Sequence, residues 1–101
     1  MSDYATITSE ELKARLDAGE NIRLIDVREA EEVAHGIIPG AEHIPLGQVP
    51  QRLDDIPREE EVIFICRSGY RSGQACEYLT MLGFKQPVNL TGGMLAWAQL
   101  P

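Results

Sequence analysis

The segment with the most reactive combination of residue types begins at Cys66. A run of apolar, β-branched and aromatic residues at 62–65 ends at this cysteine, and a helical pattern follows from Ser72. This order predicts a buried strand, a tight loop of backbone N–H groups and the N-terminus of a helix. Such loops bind anions and favour a thiolate, which lowers the pKa of a cysteine placed there. The sequence therefore predicts that Cys66 is a nucleophile.

Other roles are open for the residues of this loop. Free cysteine is among the most buried residue types, so a structural thiol is the alternative for Cys66. Arg67 either attracts an anionic substrate, which we favour, or is solvated at the mouth of the pocket. Arg71 is equally compatible with binding substrate and with stabilising the loop by pairing with a carboxylate. Gly69 relieves the steric limits of a tight turn.

The elements that position the loop alternate between strand and helix patterns. Strands are predicted over residues 5–7, 22–28, 42–45, 61–66 and 87–90. Helices are predicted between Thr8 and Gly19 and over residues 29–34, 48–53, 72–82 and 94–98. This alternation predicts an α/β domain with a central, mostly parallel sheet. In such sheets ligands bind beyond the carboxyl ends of the strands, which is where Cys66 lies.

Two helices carry more detailed predictions. Thr8 and Glu11 form a capping-box pattern at the start of the first helix. The helix after the loop has an apolar face that consists of Ala75, Leu79 and Leu82. Cys76 flanks this face, so we expect it to line the core rather than to form a disulfide with Cys66.

Several residues outside the loop are predicted to support it. Asp26 and Arg28 end the second strand, where an aspartate can pair with the arginine or orient a loop by accepting backbone hydrogen bonds. Gly92 and Gly93 are expected to allow close backbone packing, and Trp97 to lie in the core. We predict neither a metal site nor a cofactor, because the chain has no CxxC and its histidines lie far from both cysteines in sequence.

Composition limits the class of function. The 101 residues are 44% hydrophobic and 25% charged, as expected for one domain over residues 1–101. No apolar run approaches the roughly 20 residues that span a bilayer, and no signal peptide is recognisable, so we expect a cytoplasmic protein without membrane contacts. A net charge of −7 argues against a nucleic-acid partner. Two arginines and no acid between Cys66 and Ser72 predict a small anionic substrate.

The spacing from Cys66 to Arg71 is CX4R, and three further motifs accompany it. Residues 25–28 are IDVR, residues 36–41 are GIIPGA, residues 66–72 are CRSGYRS, and residues 92–97 are GGMLAW. In this order and spacing the four segments resemble the rhodanese domain, specifically the single-domain thiosulfate sulfurtransferases. The resemblance covers nearly the whole chain and implies a central sheet with helices on both faces. One difference is Ile37, where the family usually has histidine, although His35 lies two places earlier.

The resemblance implies a two-step reaction at Cys66. The thiolate attacks the outer sulfur of a donor such as thiosulfate, sulfite leaves, and a persulfide forms. A thiol, cyanide or a protein acceptor then takes that sulfur. Backbone amides of the loop would surround the sulfur, and no general base is required. The implied substrate-binding residues are Arg67, Ser68, Gly69, Tyr70, Arg71 and Ser72. Of these, Ser68 and Tyr70 are expected to point outward and to influence the choice of acceptor.

Two other functions stay open. A phosphatase or arsenate reductase would use a related loop, but tyrosine phosphatases have CX5R, and Ser72 stands at that sixth position. The shorter loop suits a sulfur atom better than a tetrahedral oxyanion. The other alternative is a sulfur carrier or a rhodanese-like interaction module for a protein partner. Inactive modules commonly lack the cysteine, whereas this chain keeps Cys66.

Overall fold

The computed structural model describes residues 3–101 and contains a five-stranded sheet with helices. The strands are β1 (Ala5–Ile7), β2 (Arg23–Asp26), β3 (Glu42–His43), β4 (Glu61–Ile65) and β5 (Gln86–Leu90). The helices are α1 (Ser9–Asp17), α2 (Ala30–Val33), α3 (Tyr70–Met81) and α4 (Gly93–Trp97), with 3-10 segments at Leu46–Gln51 and Leu53–Asp55. No helix in this part of the chain is long and apolar enough to cross a membrane.

The sheet is parallel, and β4 lies at its centre. The strand order is β1-β5-β4-β2-β3, and each pair of neighbours runs in the same direction. Phe64 of β4 is opposite Ile25 of β2 on one side and Asn89 of β5 on the other. The predicted α/β architecture is confirmed, with the strand that leads to Cys66 in the middle.

Helices cover both faces of the sheet, and each face has its own apolar cluster. Alternate residues of β4 point to opposite faces, as the pleat requires. One cluster contains α3 residues together with Val62, Phe64 and Cys66. The other contains α1 residues together with Ile63 and Ile65, and residues of α4 pack against it. The sheet is therefore buried on both sides, which suits the nearly continuous apolar runs of β2 and β4.

Capping boxes begin α1 and α2. In α1, the Thr8 hydroxyl accepts the Glu11 amide at 3.1 Å, and the Glu11 carboxylate accepts the Thr8 amide at 2.9 Å, which confirms the predicted cap. In α2, the Glu32 carboxylate accepts the amide of Glu29 at 3.0 Å. This second cap fixes the start of a four-residue helix that carries Glu32 toward the loop after β4.

Most element ends differ from prediction by one or two residues, and three differences concern the helices around the site and the core. Helix α3 begins at Tyr70 rather than Ser72, because Gly69 takes a left-handed conformation (φ +100°) and acts as the N-cap. Residues 48–53 are divided between two 3-10 segments rather than forming one helix, and Pro50 lies inside the first of them. The prediction that Leu82 belongs to the buried face of α3 is wrong. The helix ends at Met81, and Leu82 is 40% exposed.

Candidate active site

Cys66 lies at the carboxyl end of the central strand, directly after β4. Its residue is fully buried, in the cluster between the sheet and α3. The backbone that follows β2 is hydrogen-bonded to the end of β4, because the Val27 amide donates to the Ile65 carbonyl at 2.8 Å. The thiol therefore occupies the position where ligands bind in parallel sheets.

The loop after Cys66 turns back so that hydrogen-bond donors meet the sulfur. The Gly69 amide donates to Cys66 Sγ at 3.1 Å, and the Ser72 hydroxyl lies 3.3 Å from the same atom. Gly69 has φ +100°, and a Cβ there would approach the Gly92 amide nitrogen to 3.3 Å. Both observations explain why glycine stands at this position.

Hydrogen bonds outweigh burial in setting the pKa of Cys66. Burial raises the pKa of the thiol, because it disfavours the charged form. The Ser72 hydroxyl, and then the amides of Ser72, Gly69 and Ser68, act in the opposite direction. The net effect holds the pKa of Cys66 below its ordinary value, as expected from the sequence, and so favours the thiolate.

Arg71 forms a two-pronged ion pair with Glu32 of α2. The guanidinium Nη1 and Nη2 donate to the two carboxylate oxygens at 2.7 and 2.8 Å. Arg71, together with the Glu29 amide, lowers the pKa of Glu32 to about 2. Glu32 and the charge of Cys66 raise the pKa of Arg71, so the guanidinium also acts on the sulfur electrostatically. The structure thus shows the contact expected of a loop-stabilising Arg71.

The outer part of the loop faces solvent. Arg67 and Ser68 are exposed, and Tyr70 is 72% exposed. Their side chains are therefore accessible to solvent on the residues that directly follow a buried sulfur, and Arg67 is a cation among them. The loop therefore directs backbone N–H groups toward the sulfur and exposes its polar and aromatic side chains to solvent.

Asp26 and Arg28 form a buried ion pair at the carboxyl end of β2. The Asp26 carboxylate accepts the Arg28 amide at 3.0 Å and two of its guanidinium nitrogens at 2.8 to 3.0 Å. The guanidinium also donates to the Gly36 carbonyl at 2.7 Å. This pair ties β2 to the segment that follows α2, and hence to the element that carries Glu32. The contacts are those of supporting residues.

The start of α4 supports the backbone of Cys66 directly. The Met94 amide donates to the Cys66 carbonyl at 2.9 Å, and the Leu95 amide donates to the Arg67 carbonyl at 3.0 Å. A Cβ on Gly93 would lie 2.4 Å from the Cys66 carbonyl oxygen. The close packing predicted for Gly92 and Gly93 is confirmed. Gly93 packs against the loop after β4, whereas a Cβ on Gly92 would lie 2.7 Å from Ala96 Cβ within α4.

Two residues of the site were missed by sequence reasoning. Glu32 lies in a run of acids at 29–32, a pattern that is typical of a solvated surface. Asn89 of β5 is 7% exposed, donates from Nδ2 to the Gly69 carbonyl at 3.0 Å, and has its Oδ1 2.5 Å from the Ser72 hydroxyl. The available signal was an amide between the apolar residues Val88 and Leu90, since a buried polar group requires a partner.

Cys76 behaves as the core residue that the helical pattern predicts. It is fully buried in the same cluster as Cys66, and both cysteines are free. Burial raises the pKa of Cys76 to about 12, so it remains a thiol at physiological pH. Trp97 packs against the opposite cluster while partly exposed.

The segment with the unusual isoleucine lies outside this network of sulfur contacts. Ile37 is half-buried, Ile38 is buried in the cluster beneath α1 and α4, and His35 is exposed. The exposed His35 side chain therefore does not substitute for the histidine that the family usually has at the position of Ile37. Among residues 3–101, no group of three or more His, Cys, Asp or Glu side chains is arranged to hold a metal ion.

Comparison with known proteins gives matches along nearly the full chain. A family model described as "Rhodanese-like domain" matches residues 8–100. YtwF of Bacillus subtilis, which carries a provisional sulfurtransferase name, is 50% identical over 91 residues, covering 90% of this chain and 87% of YtwF. The human thiosulfate:glutathione sulfurtransferase is 31% identical over 113 residues, covering 98% of this chain and 97% of that protein. These relatives support sulfur transfer as the class of activity.

Solved structures agree with the sequence matches. The crystal structure of a rhodanese-like domain protein from Staphylococcus aureus has a TM-score of 0.87 and 39% identity, covering 92% of this chain and 90% of that one. The shared fold, the cysteine loop after the central strand and the matched motifs lead to one conclusion. The chain belongs to the rhodanese-like domain family.

Proposed function

We propose that the protein is a thiosulfate sulfurtransferase in which Cys66 carries the transferred sulfur. The observation that supports this most directly is the set of donors around Cys66 Sγ, which favours a thiolate inside a buried loop. The thiolate attacks the outer sulfur of thiosulfate and forms a new S–S bond. The original S–S bond breaks, its electron pair leaves with sulfite, and no base is needed to activate the nucleophile.

In the second step a nucleophile removes the outer sulfur from the persulfide. A thiolate or cyanide attacks that sulfur, the bond to Cys66 Sγ breaks, and its electron pair restores the Cys66 thiolate. The human relative is named for thiosulfate and glutathione, which supports a small thiol as acceptor here. Each step balances without a cofactor, so the persulfide alone links donor and acceptor.

The remaining loop residues have distinct proposed roles. Arg67 attracts the anionic donor, because it is exposed directly after Cys66. Ser68 and Tyr70 influence which acceptor is used, since they form the outer surface. Arg71 holds the loop through Glu32 and adds positive potential at the sulfur. Gly69 and Ser72 supply hydrogen bonds to it.

A second candidate is a carrier that passes sulfur to a protein. The observation that favours it is the outer face of α3, where Tyr70 and Met81 are 72% and 73% exposed. Tyr70 is also part of the active-site loop, so an acceptor protein on this face would lie beside Cys66. The same persulfide serves both candidates, and only the acceptor differs.

The test is intact mass spectrometry after treatment with thiosulfate. We expect a gain of one sulfur atom in the wild type and in Cys76→Ser, and no gain in Cys66→Ser. A gain that survives the Cys66→Ser substitution would refute the assignment. Loaded protein is then mixed with cyanide, glutathione or a dithiol, and loss of the added mass with turnover identifies an enzyme. A persulfide that resists all three identifies the carrier.

The same preparation tests the phosphatase alternative. Turnover of an aryl phosphate by the wild type, with no persulfide after thiosulfate, would replace the proposed function by phosphoryl transfer. We expect no such turnover, because the CX4R loop leaves only Ser72 at the place of the phosphatase arginine.

A further inference from the structure

Asn89 is oriented so that its carbonyl oxygen faces Ser72. Its Nδ2 donates to the Gly69 carbonyl at 3.0 Å, and a carbonyl can only accept, so the amide has one permitted orientation. The Oδ1 atom is then 2.5 Å from the Ser72 hydroxyl oxygen. Both residues are buried, with 7% exposure for Asn89 and none for Ser72.

Ser72 has one hydroxyl hydrogen but two acceptors within reach. Asn89 Oδ1 lies at 2.5 Å and Cys66 Sγ at 3.3 Å. When Sγ is neutral, the amide oxygen is the better acceptor, and a Cys66 thiol can donate to the Ser72 oxygen instead. When Sγ is a thiolate, a charge-assisted hydrogen bond to it is the stronger one. The preferred direction of the Ser72 hydroxyl therefore depends on the charge of Cys66.

We infer that Asn89 is a positioning residue which holds the Ser72 hydrogen while Cys66 Sγ is neutral and releases it to Sγ when the thiolate forms. Asn89 touches no substrate in this scheme and acts through Ser72. The inference deepens the proposed function, on which its catalytic part rests. Asn89 competes with the thiolate for the Ser72 hydroxyl hydrogen, so it limits how strongly Ser72 stabilises the thiolate.

The exchange of the hydrogen has a defined place in the sulfur cycle. In the persulfide, Sγ is bonded to the outer sulfur and carries no charge, so the Ser72 hydroxyl donates to Asn89. When an acceptor attacks the outer sulfur, the S–S bond breaks and its electron pair moves to Sγ. The hydroxyl turns toward Sγ as this charge develops, which stabilises the leaving thiolate.

The other groups near Cys66 and Asn89 determine what the substitutions at Ser72 and Asn89 can change. The Gly69 carbonyl also accepts the Gly73 amide at 3.1 Å, so removing Asn89 does not leave it without a partner. The charged group that acts on Cys66 from α3 is Arg71, held by Glu32 of α2, and the other titratable group is Cys76. Arg71 and Glu32 are kept in all the variants below, and every variant carries Cys76→Ser, so these groups do not account for differences between the variants.

The test titrates the ultraviolet absorbance of the Cys66 thiolate in a Cys76→Ser background. Ser72→Ala should raise the midpoint by about one pH unit, because a hydrogen bond to a charged group is lost, and Ser72→Thr should restore it. Asn89→Leu should lower the midpoint, because the Ser72 hydrogen is then committed to Sγ. The Ser72→Ala/Asn89→Leu double variant should match Ser72→Ala alone. A raised midpoint in Asn89→Leu, or a double variant that differs from Ser72→Ala, would overturn the inference.

A second measurement needs no substitution at Asn89. The side-chain amide signal of Asn89 in nuclear magnetic resonance should move with the same midpoint as the thiolate absorbance, and should stay constant in Ser72→Ala. A signal that does not follow the thiolate refutes the exchange. Both measurements omit the sulfur donor, so they test the inference even if no persulfide forms.

If a persulfide does form, Ser72→Ala should slow its discharge to a thiol about tenfold, and an unchanged discharge rate refutes the catalytic part.

Discussion

At the residue scale, the two cysteines occupy one apolar cluster but differ in their hydrogen-bond partners. Cys66 and Cys76 are both fully buried beside α3. Cys66 meets the Gly69 amide and the Ser72 hydroxyl, which lower its pKa despite burial. Burial raises the pKa of Cys76 to about 12. The hydrogen-bond donors around each sulfur therefore decide whether the pKa of its thiol falls or rises.

This contrast predicts how the two thiols titrate. Because the pKa of Cys66 is lowered, its thiolate should already be present at pH values where a free cysteine, with a pKa of about 8.5, is still protonated. Thiolate absorbance measured against pH in Cys76→Ser should therefore rise below that value. The matched variant Cys66→Ser should show no rise until strongly alkaline pH. A Cys66 midpoint at or above that of free cysteine would contradict the assignment.

At the element scale, the loop after β4 is held by two helices that are distant in sequence. Helix α2 supplies Glu32 to Arg71 across 39 positions, and the start of α4 donates amides to the Cys66 and Arg67 carbonyls. The second contact requires the backbones to approach so closely that no side chain fits at Gly93. The position of α4 therefore helps to determine the conformation of the loop.

The close approach predicts the effect of adding one methyl group. In Gly93→Ala, Cβ would lie 2.4 Å from the Cys66 carbonyl oxygen, and the residue has φ +52°. We expect a loss of about 1–3 kcal/mol in the free energy of unfolding, measured by chemical denaturation. Gly47→Ala is the matched control, because its Cβ would meet nothing within 4 Å, and it should change stability by about 0.5 kcal/mol or less. Equal stabilities of the two variants would refute the packing argument.

At the scale of the whole molecule, the net charge of the protein is opposite in sign to the charge of Arg67 next to Cys66. The net charge is −7, whereas Arg67 is exposed beside Cys66 on the carboxyl edge of the sheet. Under the proposed function, we expect an anionic donor to be repelled by the protein as a whole and attracted by Arg67. Salt reduces both effects, because the Debye length falls from about 30 Å at 0.01 M to about 10 Å at 0.1 M.

Arg67→Gln should lower kcat/KM for thiosulfate several-fold at low ionic strength, mainly through KM, and the difference from wild type should shrink as salt is added. Lys85→Gln is the control, because it removes the same charge from an exposed residue just before β5, at the opposite edge of the sheet. That variant should behave like the wild type. If Lys85→Gln reduced kcat/KM as much as Arg67→Gln, a local role for Arg67 would be excluded.

The sequence alone determined the features that depend on neighbours along the chain. Alternation of patterns predicted the α/β class, and the apolar run before Cys66 placed it at a strand end. Glycines identified close turns, and the capping box of Thr8 and Glu11 was predicted correctly because its contacts span three residues. The burial of Leu82 was predicted wrongly, since periodicity does not show where a helix ends.

Only the tertiary structure decided which distant residues complete the site. The strand order β1-β5-β4-β2-β3 places β5 beside β4, which brings Asn89 to Ser72 across 17 positions. The path of the chain after β2 brings Glu32 to Arg71. In the sequence, Asn89 lies in an ordinary strand pattern, and Glu32 lies in a run of acids that is typical of a solvated surface. Their roles arise from burial and from partners across the fold, and neither is a property of local sequence.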